Sequence, residues 1–132
     1  DYLTAVLPAT HPLAKADNLP FEQLRGETFL LFPEHSFIND LCIRECRNAG
    51  FEPHIAYTGN RGATLIDLVR NGAGITLMMH HSARQENDSS LAFIPVTPGI
   101  YSYISLNYAK EKPLSPQAES FVRYVKAHKR DF

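Results

Sequence analysis

Neither sign of charge dominates this chain: 13 basic residues stand against 14 acidic ones, for a formal net charge of -1 over 132 residues. A surface that grips a nucleic-acid backbone needs a cationic excess, so direct DNA binding by these residues is not expected. Long apolar runs are missing too. None approaches the roughly 20 residues that a helix needs to span a bilayer, so no membrane partner is expected. Cysteine is scarce, with Cys42 and Cys46 four apart on one helical face. That spacing suits a disulfide poorly and brings no metal-binding partner nearby, so both are expected as reduced core thiols in a cytoplasmic protein.

The catalytic and cofactor signatures are equally thin. No G-x-S-x-G turn places a serine for attack, and Cys42 lies mid-helix on an apolar stripe. Neither the glycine pair Gly59 and Gly62 nor the pair Gly72 and Gly74 matches a phosphate-cradling fingerprint. The six histidines invite a zinc site made of His80 and His81 with His35 or His11. Adjacent histidines chelate poorly, however, and no H-x-x-x-H spacing supports them. No metal, cofactor or catalytic residue is expected. The chain enters a strand directly at Asp1, without an initiator Met or signal peptide, so it is expected to be part of a longer polypeptide.

With 44% hydrophobic and 20% charged residues, the composition is that of one ordinary globular domain. Its organising stretch is residues 29–50. Phe29, Leu30, Leu31 and Phe32 form an unbroken apolar run stopped by Pro33, the signature of a central strand buried on both faces. From Ser36 the period changes, and Ile38, Leu41, Cys42, Cys46 and Ala49 share one helical stripe. Ser36 can cap that helix, Asp40 suits its positive end and Gly50 supplies the residue past its close. Strand, polar turn and capped helix aim free amides beyond the strand's carboxyl end, a place to hold a small anion.

The pattern recurs. Residues 54–58 read as a strand, residues 59–62 as a turn, and Leu65, Ile66, Leu68 and Val69 as the apolar face of a second helix stopped at Asn71 and Gly72. Residues 2–7, 74–79, 91–96 and 100–108 read as further strands, the last antiparallel to residues 91–96 across Thr97-Pro98-Gly99. Short helices are expected near residues 20–24 and 80–84, and residues 85–90 as a polar loop. Ser115-Pro116 opens a final helix with Ala118, Phe121, Val122 and Val125 as its buried stripe. Alternating strands and helices imply an α/β fold with a mainly parallel sheet.

Four motifs then occur in a fixed order. The run Leu7-Pro8-Ala9-Thr10-His11-Pro12-Leu13-Ala14 resembles the LPxxHPLA segment of the effector-binding domain of LysR-type transcriptional regulators. Ala49-Gly50-Phe51-Glu52-Pro53 resembles that family's AGFxP turn, and Val69-Arg70-Asn71-Gly72-Ala73-Gly74-Ile75 its VxxGxGI passage. Leu114-Ser115-Pro116 with Phe121 resembles the start of its last helix. Together they cover nearly the whole chain. One position departs from the pattern: the family usually has Leu-Pro where Met78-Met79-His80 stands here.

The resemblance implies a type 2 periplasmic-binding-protein-like lobe, its mainly parallel sheet flanked by helices. Residues 1–108 would be the second lobe with its crossover strands. Residues 109–132 would be the return segment and a helix that packs on a first lobe outside this chain. Without that lobe, Phe121, Val122 and Val125 would need cover from their own lobe or from another copy of the chain. A winged helix-turn-helix elsewhere in the polypeptide would carry the DNA contacts, and self-association is expected. By position, the effector-facing residues would be Ser36, Phe37 and Ile38 at the first helix start and Asn60 and Arg61 at the second. Arg61 could pair with a carboxylate, and the effector would be a small anion. A lobe of a secreted solute-binding protein and a small α/β hydrolase-like enzyme are the alternatives.

Overall fold

The strand β3 (Thr28–Leu31) has neighbours on both edges. On one side it pairs in parallel with β4 (His54–Thr58). On the other it bonds to Ile75, which donates to the Thr28 carbonyl and accepts from Leu30 N, each at 2.8 Å. Phe29, Leu30 and Leu31 are buried accordingly. The computed structural model describes residues 1–84, 88–109 and 111–128, in two compact units, Asp1–Ser102 and Tyr103–Phe132.

In the first unit, Ile75 leads into β5 (Thr76–Met79), which pairs antiparallel with β1 (Leu3–Pro8). The other edge of β1 pairs antiparallel with β6 (Leu91–Thr97), and β6 pairs in parallel with the two-residue β2 (Leu19–Pro20). The strands therefore run β4-β3-β5-β1-β6-β2. Every strand except β1 points its carboxyl end the same way. The mainly parallel sheet of the sequence reading is present, with β1 the reversed member. Strand direction is set by where the connections cross, which β1's own residues do not encode.

Alternation along the strands divides the core into two layers. Leu3, Ala5, Leu7, Phe29, Leu31 and Leu77 pack on one face with Cys42 and Cys46 of α1 (Phe37–Asn48). Val6, Leu30 and Met78 pack on the other with Leu65, Ile66 and Val69 of α2 (Gly62–Arg70). The short α3 (His80–Arg84) follows β5, and two 3₁₀ turns, Pro12–Lys15 and Phe21–Leu24, join the early strands.

The family-like motifs have mechanical jobs. His11 Nδ1 accepts from Leu13 N at 3.2 Å to cap the first 3₁₀ turn, while its Nε2 lies 3.3 Å from Glu27 Oε2. Gly50, at φ 79°, closes α1. Arg25 donates to the Ala49 carbonyl at 3.2 Å and covers the Phe51 ring, a cation at the helix's negative end. Gly74 brings its backbone so close to β3 that a Cβ there would lie 2.4 Å from Thr28 O.

Two expectations fail. Residues 100–108 are not a strand antiparallel to β6: Thr97-Pro98-Gly99 does not reverse the chain, and residues 100–102 continue beside the start of β1. There Leu3 N donates to Ile100 O at 2.8 Å and Ser102 N to Asp1 O at 2.9 Å. Residues 103–109 have no regular structure, and Tyr103 and Ile104 are 84% and 99% exposed. Aromatic β-formers make a strand only where a neighbour pairs with them and covers them. In the second unit, α4 (Pro116–Ala127) is capped as expected, Ser115 Oγ accepting from Ala118 N at 3.2 Å. Its stripe of Ala118, Phe121, Val122 and Val125 is not buried. One helix and an irregular segment enclose no core of their own.

Candidate functional site

Because β3 and β4 are parallel neighbours, the turns that follow them emerge side by side. After β3 the chain bends through His35, at φ 65°, with Ser36 N donating to Pro33 O at 3.1 Å. Ser36 then caps α1, its Oγ accepting from Asn39 N at 3.3 Å. Phe37 is 66% exposed at the first position of the helix, whereas Ile38 packs against the core and offers the site only its main chain. After β4, Gly59 N donates to Leu31 O at 3.0 Å, tying the second turn to the end of β3. Asn60 and Arg61 are exposed, and no side chain caps α2. Its first amides and the Arg61 guanidinium share one end of one helix, the arrangement that favours an anion.

Asn39 is the positioning residue that the sequence reading passes over. It is buried, and its Nδ2 donates to Phe32 O at 2.8 Å, so one amide fixes the angle between β3 and α1. An asparagine in the first turn after a proline-broken strand is the signal that could have found it.

The strand order adds a third wall. The connection leaving β3 runs to β4, and the connection leaving β5 runs to β6 on the opposite side, so the crossovers change sense between the ends of β3 and β5. Ligands of open α/β sheets sit at such a switch point. The residue ending β5's side of it is His80. Its N donates to Tyr2 O at 2.8 Å, its ring stacks on Tyr2 at 4.4 Å, and its Nδ1 lies 3.3 Å from Thr4 Oγ1. Burial, then Arg84 and His81, lower its pKa below the usual histidine value, which keeps the imidazole neutral at pH 7.

These side chains border an open shelf. A hollow of about 430 Å³ lies instead on the flank between α1 and β4, lined by Glu34, His35, Asn39, Asp40, Ile43 and residues 55–58. It contains none of the five expected effector residues, and its two carboxylates repel an anion. Among the described residues no three histidine, cysteine or acidic side chains gather as metal ligands. Cys42 and Cys46 are free thiols buried in the core; desolvation, then Glu52 and Glu45, push Cys46 up to about 12, far from a nucleophile's range. No described helix is long and apolar enough to cross a membrane.

Comparison with known proteins places this chain in a family. Residues 1–130 match the LysR substrate binding domain. The transcriptional dual regulator GltC of Bacillus subtilis is 30% identical over 122 residues, covering 92% of this chain and 41% of GltC. The chain thus spans about two fifths of the length of the curated relatives it matches. Those relatives are transcriptional regulators, not enzymes. Among solved structures, the regulatory domain of Synechocystis PCC6803 CcmR in complex with 2-PG superposes with a TM-score of 0.76 at 18% identity, over 96% of this chain and 62% of that one. The effector-binding domain of QuiR in complex with shikimate does so with a TM-score of 0.65 at 19% identity, over 96% and 62%.

Proposed function

Since this chain belongs to the LysR substrate binding domain family, we propose that it is the second lobe of a transcriptional regulator's effector-binding domain. Residues 1–108 form the lobe with its crossover segments, and residues 109–132 return toward a first lobe supplied by the rest of the polypeptide. A small anionic effector binds over the carboxyl edge of the sheet and is enclosed when the two lobes meet. Closure biases a DNA-binding domain elsewhere in the parent protein, which works in the cytoplasm as a homo-oligomer.

One observation carries the reading. The starts of α1 and α2 lie side by side at the carboxyl ends of parallel strands, with Arg61 exposed beside the uncapped one. Ser36, Phe37 and Asn60 complete this half of the site, and Ile38 contributes its amide. This chain supplies one side of the cleft, so its residues form an open shelf. Shikimate, bound by one structural neighbour, is a carboxylate and agrees with an anion-seeking edge.

Amide chemical shifts test the proposal. Titrating benzoate, shikimate or inorganic phosphate into the ¹⁵N-labelled chain moves the amides of residues 36–39 and 60–64 in a saturable way, and Arg61→Ala weakens the response. Shifts confined to other surfaces, or none at the two helix starts with any of the three anions, would overturn it.

A further inference from the structure

We infer that His80 is a third effector contact and a determinant of specificity, presenting its Nε2 to the bound anion while Thr4 holds its other nitrogen. The inference rests on the effector reading above and adds a residue that follows a different strand.

Three observations support it. The first is place. His80 directly follows β5, the strand beyond β3 from β4, at the edge where crossovers change sense, so the segments that leave β4, β3 and β5 lie in a row. Adjacent strands are about 4.8 Å apart, so three of them span about 10 Å, the width of a small metabolite. Helix α1 also packs on β5, which keeps the first helix start close to that strand.

The second is preorganisation. The ring is stacked on Tyr2 with only 16° between planes, its backbone N is bonded to Tyr2 O, and its Nδ1 faces Thr4 Oγ1. Thr4 is fully buried, and among the described residues its hydroxyl has no other partner. Donating to Nδ1 satisfies it and places the ring proton on Nε2. Two contacts, the Tyr2 stack and the Thr4 hydroxyl, set the ring's rotamer, as a residue held ready for a ligand requires.

The third is what remains unused. Nε2 has no partner among the described residues, and the ring is only partly covered. The charged and titratable groups around it are Arg84 and His81 on its own helix, Tyr2 beneath the ring, and Asp1, whose carboxylate accepts from His81 N at 3.1 Å. Only Asp1 among these is acidic, and the Arg84 guanidinium offsets it, so these groups carry no net negative charge. A neutral imidazole then supplies one directed N–H, which favours a ligand with an acceptor at that point over one that merely carries charge.

Long-range ¹H–¹⁵N correlation spectra of the histidine rings test this. In the free chain His80 is expected as the Nε2–H tautomer, and Thr4→Val is expected to mix the tautomers without unfolding the chain. Adding benzoate, shikimate or inorganic phosphate is expected to shift Nε2 of His80 in step with the amides of residues 36–39. His80→Ala is expected to weaken that binding roughly two- to tenfold, with His80→Gln restoring part of it through its amide N–H. A His80 ring that none of the three anions moves, or that carries its proton on Nδ1, overturns the inference. If the helix-start amides still respond, the effector shelf stands without His80; if they are silent too, both readings fall together.

Discussion

Asp88 shows how much one side chain can be held by a single turn. Ser90 N donates to its carboxylate at 2.8 Å, the Ser90 side chain adds to this, and Arg70 Nε reaches it at 2.6 Å, while Arg70 also contacts Asp67. These partners, the Ser90 backbone foremost, hold Asp88 down to about 2. A carboxyl depressed in the folded state stabilises above its unfolded value near 3.8, and that contribution is lost as the pH falls toward 2. Carbon-detected titration should find Asp88 still ionised at pH 3. In Arg70→Ala its midpoint should rise but stay below the unfolded value, because the Ser90 N–H remains. Gly74 is the opposite case, a residue defined by what it lacks. At φ 157°, with no room for a Cβ beside Thr28 O, Gly74→Ala should cost roughly 3 kcal/mol in urea unfolding. The glycine pattern was legible in the sequence; which strand it had to approach was not.

At the scale of elements, α1 was the most legible. Its stripe, cap and stop follow from local rules, and Leu41, Cys42 and Cys46 are buried as their spacing requires. The cap and the strap of this helix should separate by experiment. Ser36→Ala removes a partly exposed cap and should cost about 1 kcal/mol. Asn39→Ala leaves the Phe32 carbonyl without its partner at a part-buried turn and should cost about 1–3 kcal/mol. If Asn39 sets the angle of the helix start, its loss should also disturb the amide shifts of residues 33–37 more than the loss of Ser36 does. The strand expected at residues 100–108 failed for a reason of the same scale: β-propensity describes a fit to a sheet surface, and the last bridge to the sheet is the one between Tyr101 and Tyr2.

At the scale of the whole molecule, residues 1–102 hold both core layers and every strand pair of the sheet, and residues 100–102 belong with them through β1. A chain ending after Ser102 should therefore keep its cooperative unfolding and its circular dichroism strand signal. Chymotrypsin should cut first at the exposed Tyr103 or Tyr108. Loss of cooperativity in the shortened chain would show that the second unit is part of the fold. The sequence by itself determined the helices of the first unit and its strands other than β2, the caps, the two helix starts at Ser36 and Arg61, and, through four ordered motifs, the family. Those features arise from period, turn chemistry and local hydrogen bonding, all of which act within a few residues. Only the tertiary structure decided that β1 runs against its neighbours, that Asn39 straps the first turn, and that His80 stands at the same edge as Ser36 and Asn60. Each depends on segments far apart in the chain meeting across a sheet, and no local pattern records which strands become neighbours.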